Sequence, residues 1–241
     1  MRNRFLLLAF VLISLQSCDL NFLDCYDGDF VNKEIVLDEI NAIEIDFPCE
    51  IVMVDGTTQA IRVNAKQDLI DDLEDKSTVS GKIWKVRLKN NCIKHREDIT
   101  FTITVPGLKK LKVDGSTRVE SDGKLTNLNS ALELDFDGDS DVRLDEVNLS
   151  KLTVNADGEI DLSINGFAET ANYNLDGSGI ISSHNLQTAF TSLTMDGDLV
   201  AEIWVTEKLN ANLDGSATVC LKGNPAVVSN IDGSGKIKDC N

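Results

Sequence analysis

The dipeptide Asp-Gly recurs seven times in the second half of this 241-residue chain, and its spacing constrains the fold more than any other feature. It stands at Asp114-Gly115, Asp137-Gly138, Asp157-Gly158, Asp176-Gly177, Asp196-Gly197, Asp214-Gly215 and Asp232-Gly233, in steps of 23, 20, 19, 20, 18 and 18 residues. The residue before each Asp is apolar: Val113, Phe136, Ala156, Leu175, Met195, Leu213 and Ile231. Two residues earlier stand Leu111, Leu134, Val154, Tyr173, Leu193, Ala211 and Ser229. Four residues after each Gly come Val119, Val142, Leu162, Ile181, Ala201, Val219 and Ile237. Alternation of period two on both sides of a turn reads as strand, turn, strand. A third apolar anchor lies about nine residues past the Gly, at Val147, Phe167 and Leu186, with Val205 one position short.

Asp-Gly is also the strongest short hairpin signal, so a meander of hairpins is the competing reading. Uniform spacing with the same inward positions favours stacked coils, because each coil must bury the same column as its predecessor. The expectation is therefore an all-β chain: a parallel β-helix-like solenoid of about seven Asp-Gly coils over residues 113–241. At about 4.8 Å per coil it would form a rod roughly 34 Å long.

Residues 31–112 differ in texture and are expected to form an N-terminal β cap continuous with the repeats. Ile43–Ile45, Ile51–Val54 and Ile61–Val63 alternate, with Asp55-Gly56-Thr57 reading as a hairpin loop between the last two. Gln67–Lys76 places Leu69, Ile70 and Leu73 at helical spacing, predicting one short amphipathic helix. Lys76–Val79 and Ile83–Leu88 around Ser80-Gly81 predict a second hairpin, and Ile99–Val105 a further strand stopped by Pro106-Gly107.

The first 17 residues read as an address. Arg2 and Arg4 precede an apolar run from Phe5 to Leu15, too short to span a bilayer and fitting a secretory leader. Leu15-Gln16-Ser17-Cys18 resembles the lipobox of bacterial lipoproteins, which implies cleavage before Cys18 and its acylation. Several acyl chains on one cysteine anchor stably. Residues 18–30 follow as an acidic tether, and the expected location is the cell envelope, as an outer-membrane lipoprotein facing periplasm or exterior.

The repeated turn, as in Asn174-Leu175-Asp176-Gly177-Ser178-Gly179 and Asn230-Ile231-Asp232-Gly233-Ser234-Gly235, resembles the GIN domain (DUF2807). That is a Bacteroidetes family of adhesin-head domains with a right-handed β-helix-like fold. The resemblance covers roughly residues 33–240, including the segment ITFTITVPGLKKLKVDGS, with Asp here in place of the Ser common in such turns. It implies architecture and envelope location, and it carries no catalytic residues or cofactor.

Charge and cysteines fit this picture. The chain has 23 basic and 40 acidic residues, a net charge of −17. Removal of the leader leaves 21 against 40, or −19, of which −14 belongs to residues 113–241. Nucleic acid is a poor partner for such a chain; the expected partners are a membrane through Cys18 and a glycan or protein ligand. After cleavage Cys25, Cys49, Cys92, Cys220 and Cys240 remain. Cys220 and Cys240 fall in adjacent coils on the outward parity, so a bridge would clip the last coil. The family resemblance implies a Cys25–Cys92 pair with Cys49 single; Cys49–Cys92 is the alternative.

Candidate chemistry is sparse. A column of stacked Asp brings like charges together, relieved either by backbone N–H groups at the turns or by cations. Asp135, Asp137, Asp139 and Asp141, ending at Glu146, match the oxygen positions of a calcium loop. Ser140 occupies the place of its required Gly, and Phe136 is claimed by the core column. His95 lies in a basic patch with Lys82, Lys85, Arg87, Lys89, Lys94 and Arg96, a solvated face or an acidic-glycan contact. His184 stands alone. Trp84 and Trp204 read as partly buried residues, with sugar stacking as the alternative. A non-catalytic, adhesin-like or structural binding module is the favoured reading. A glycan-active β-helix enzyme and an accessory protein binding an envelope partner are the alternatives.

Overall fold

The computed structural model describes residues 26–89, 93, 95–128 and 130–241. They form an all-β body with one α-helix. Its elements are β1 (Phe30–Glu34), β2 (Ala42–Ile45), β3 (Cys49–Val54), β4 (Ala60–Lys66), α1 (Gln67–Lys76), β5 (Thr78–Ser80), β6 (Ile83–Val86) and β7 (Ile99–Thr104). There follow β8 (Lys110–Asp114), β9 (Thr117–Lys124), β10 (Ala131–Asp137), β11 (Ser140–Gly215), β12 (Thr218–Lys222), β13 (Ala226–Ile231) and β14 (Lys236–Asp239).

The segments flanking each of the first two Asp-Gly pairs do not pair across the turn. β8 pairs in parallel with β2 and β10, whereas β9 pairs in parallel with β3 and β11. Each strand before an Asp-Gly thus lies beside the strand before the next one, with Asp114 opposite Asp137 and Asp137 opposite Asp157. A hairpin meander is antiparallel by construction, so these registers exclude it here.

β11 runs for 76 residues, which would extend about 250 Å if straight. Instead residues 140–145 lie on β9, 151–157 on β10, 200–204 on β12 and 208–213 on β13. The chain turns at its glycines. A methyl group on Gly158 would fall 2.9 Å from the Gly138 carbonyl oxygen, one on Gly177 2.1 Å from that of Gly158, and one on Gly197 2.1 Å from that of Gly177. The corners therefore rest directly on one another, and a side chain has no room between them.

The inward columns are buried from Leu111, Val113 and Val119 to Ala211, Leu213 and Val219. Along β13 they emerge, with Ile231 42% exposed. One expected anchor fails: Phe167 is 43% exposed and Ala168 is the buried residue. Gly166 sits on the Val147 backbone and takes the place opposite that anchor, so the next inward side chain is Ala168.

The N-terminal strands join the repeats through β2 and β3, which lie beside β8 and β9. α1 spans the expected residues and buries Leu69, Ile70 and Leu73, each stabilising by roughly 1.5–3 kcal/mol relative to exposure. β5 and β6 form the expected hairpin, with positive φ at both Gly81 and Lys82, as a tight two-residue turn requires. The hairpin expected around Asp55-Gly56 does not form. β4 pairs antiparallel with β1 and β7, and β7 in turn separates β4 from β3. The Asp55 carboxylate is instead committed to the distant loop at Thr126 and Asn127, accepting from both backbone N–H groups, the Thr126 hydroxyl and the Asn127 amide at 2.8–2.9 Å.

Candidate binding surfaces

The seven turn aspartates, Asp114, Asp137, Asp157, Asp176, Asp196, Asp214 and Asp232, are all exposed at the corner formed by the stacked glycines. Backbone bonds fix the spacing of successive corners, with the Gly115 N–H donating to the Asp137 carbonyl at 2.7 Å and the Gly138 N–H to the Asp157 carbonyl at 2.8 Å. At Asp214 the carboxylate accepts from the N–H of the adjoining Gly215 at 2.8 Å. The column is thus a row of carboxylates on a rigid edge, facing solvent.

The calcium-loop pattern is not assembled. Asp135 lies before the Gly138 corner and meets Lys110 at 3.2 Å and Lys112 at 3.9 Å. Asp141 lies beyond the corner and meets Arg143 at 3.2 Å and Arg118 at 3.4 Å. Glu146 pairs with Lys124. Extended strands diverge from a corner, whereas a calcium loop must wrap its oxygens around one point. Among the described residues no group of three or more His, Cys, Asp or Glu side chains could hold a metal.

The basic patch is largely consumed by local pairs. Lys82 meets Glu39 at 2.8 Å, Arg87 meets Asp46 at 3.1 Å and Lys85 meets Glu44 at 3.7 Å. These acids lie on and around β2, the parallel neighbour of β6. Lys94 lies outside the described residues. His95 and Arg96 instead border an open cleft of about 460 Å³ whose other wall carries Asp139, Asp141, Glu159 and Asp161. That wall repels an acidic glycan. His184, half-buried in β11, belongs to no group of three or more His, Cys, Asp or Glu side chains among the described residues.

Neither tryptophan offers a free stacking face. Trp84 is 1% exposed and packs edge-on against Phe101, with ring centroids 5.9 Å apart. Lys222 covers Trp204, its ammonium 3.9 Å from the ring centroid.

Cys220 on β12 and Cys240, just past β14, form a disulfide two residues from direct register, since Cys220 lies opposite Lys238, with Cα atoms 5.5 Å apart. Cys49 is a free, buried thiol. Burial pushes it up to about 12, opposed by its contact with the Thr117 hydroxyl. A free Cys49 removes the Cys49–Cys92 alternative; the Cys25–Cys92 pair and the lipidation residue Cys18 lie outside the described residues. No helix among the described residues is long and apolar enough to cross a membrane.

The Asp55 clamp and the ion-pair lattice of Arg118 with Glu50, Glu120 and Asp141 have no motif in the sequence. Only partners from distant segments reveal them.

The sequence pattern of the DUF2807 family, described as "Putative auto-transporter adhesin, head GIN domain", matches residues 39–225. No curated protein matches the chain. Among solved structures, a "putative adhesin" from Bacteroides fragilis superposes with a TM-score of 0.75 at 20% identity, covering 88% of this chain and 97% of that one. A "putative adhesin" from Parabacteroides merdae gives 0.61 at 21% identity, covering 90% and 98%. A "putative lipid binding protein" from Parabacteroides distasonis gives 0.63 at 18% identity, covering 88% and 97%.

Proposed function

The chain belongs to the DUF2807 family, and from that premise we propose that it is a non-catalytic, adhesin-like binding module of the cell envelope, held at the outer membrane by acylated Cys18. In this reading residues 113–241 form a right-handed parallel β-helix-like solenoid, and residues 31–112 are its N-terminal cap within one domain. The observation that carries the proposal is the family match over residues 39–225. The contact of each corner glycine with the preceding one supports the coil reading, since only a chain that returns every 18–23 residues brings them together.

The acidic rod then presents outward columns to an external ligand, a glycan or a matrix protein, while the leader and Cys18 supply the attachment. Metabolic labelling with palmitate tests the anchor: label should enter the chain and be lost in Cys18→Ala. Surface protease shaving and a glycan and matrix-protein array on the purified protein test the rest. Saturable binding to one class, without turnover of it, is the expected result; cleavage of a polysaccharide would replace the proposal with an enzyme.

A further inference from the structure

Among the described residues four strands have a single neighbour in the sheet: β1, β5, β13 and β14. An edge strand offers unpaired N–H and C=O groups to a second chain, and native edges are blunted by brevity, charge or proline. β1 carries Lys33 and Glu34, β5 is three residues long, and β14 carries Lys236, Lys238 and Asp239. β13, Ala226–Ile231, has none of these guards. All six of its residues are exposed, including Val227 at 44%, Val228 at 58% and Ile231 at 42%. Val227, Ser229 and Ile231 lie opposite the buried Leu209, Ala211 and Leu213 of β11, so the inward face of the sheet continues onto β13 and stands open there. Charge points to the occupant. Residues 113–215 hold 5 basic and 20 acidic side chains, a net −15, which drives two copies of this chain apart. Residues 216–241 hold three Lys against two Asp, a net +1, so two copies can approach there without that repulsion.

We propose that two copies of the chain pair through β13, antiparallel and related by a two-fold axis at Ser229. Residues directly opposite in an antiparallel pair project to the same side of the sheet. The inward residues of one copy can therefore cover those of the other only in a register that opposes inward to inward. The register centred on the strand sets Ser229 against Ser229, Val227 against Ile231 and Val228 against Asn230 of the second copy. Such a contact is isologous and closes on itself, giving a dimer and not a filament. It needs no external ligand, so it stands or falls apart from the adhesin reading.

Sedimentation velocity of the purified protein over a dilution series is the test, and a concentration-dependent dimer with no larger species is the expected result. Val228→Lys with Asn230→Lys sets lysine against lysine across the pair, at exposed positions. It should raise the dimer dissociation constant about tenfold, since like charges directly opposite are destabilising. Val228→Glu with Asn230→Glu should do the same alone, and mixing the two variants should restore the dimer. Ser229→Cys, on the axis, should cross-link to its own copy under mild oxidation. Facing Cα atoms in such a pair stand about 4.5–5.5 Å apart, inside the disulfide range. Ser192→Cys, exposed but far from β13 in the sequence, should not cross-link. Circular dichroism should stay unchanged throughout, separating lost pairing from lost folding. A monomer at every concentration, a dimer indifferent to the lysines, mixed variants that stay apart, or open-ended oligomers would each overturn the proposal.

Discussion

Replacing Gly177 by alanine tests the stacking of the corners directly. Its φ is +126°, a conformation that costs a side-chain-bearing residue about 1–3 kcal/mol. The new methyl would also lie 2.1 Å from the Gly158 carbonyl oxygen and 2.9 Å from its carbonyl carbon. Both are backbone atoms and cannot swing aside, so the Gly177 and Gly158 turns must part; such overpacking costs about 1–3 kcal/mol. Together the loss is roughly 2–6 kcal/mol, a large share of the 5–15 kcal/mol typical of a folded domain. For a chain of this size the thermal midpoint should fall by about 5–20 °C.

Gly81→Ala is the control. Its φ is +60°, but nothing lies within 4 Å of the added methyl, so only the left-handed backbone cost of about 1–2 kcal/mol applies. Equilibrium unfolding in guanidinium chloride should therefore rank Gly177→Ala well below Gly81→Ala. Because the site is central, the transition should also broaden or split, as when an array loses a nearest-neighbour interface. Equal losses for the two variants, with equally steep transitions, would refute the contact between corners.

Three further outcomes follow from other sites. Burial raises the Cys49 and Tyr173 groups to about 12, from ordinary values of 9.0 and 10.0. Their contribution is complete below pH 9 and is lost as pH rises toward 12, because the unfolded chain ionises first; alkaline unfolding should be delayed in Tyr173→Phe, and iodoacetamide should miss Cys49 until the protein unfolds. The Asp55 carboxyl is held below its usual range, first by the Asn127 backbone N–H and then by the Thr126 hydroxyl. That contribution is present above about pH 4, the ordinary aspartate value, and fades as pH falls through the depressed one, so Asp55→Asn should flatten the acid limb of the stability profile and lower stability at neutral pH. Cys240→Ser should cost about 2–4 kcal/mol, measured by denaturant unfolding, with amide exchange of residues 226–241 rising more than that of β8–β10.

The parts legible in the sequence were those fixed by neighbours along the chain. Period-two alternation placed Leu134, Val154 and Leu193 inward, and 3.6-residue periodicity placed Leu69, Ile70 and Leu73 under α1. The Cys220–Cys240 bridge followed from counting past successive glycines. What escaped depended on distant partners. Asp55-Gly56 carries a hairpin signature, yet Thr126 and Asn127, some 71 residues on, claim the carboxylate, and β7 takes the strand position a hairpin would have filled. Lys85 and Arg87 look like a basic patch until β2 brings Glu44 and Asp46 beside them. Phe167 satisfied the hydrophobic pattern and still points outward, because Gly166 stacked on Val147 consumes one position.

Low identity and shared architecture have one cause in a body of this kind. Parallel registers pair a strand's backbone groups with its neighbouring strands, so the ladder places little demand on side chains. The demands fall on alternate inward residues and on glycine at the corner, where a neighbouring carbonyl oxygen stands 2.1 Å from any Cβ at Gly177. A chain can therefore superpose on a Bacteroides fragilis adhesin-type structure at a TM-score of 0.75 while sharing 20% of its residues. Outward positions, such as Asn155 and Asn174, whose amide groups bond at 2.8 Å, can change with small effect on the core. The outward surface accordingly varies independently of the fold, and substitutions there change the surface before they change stability.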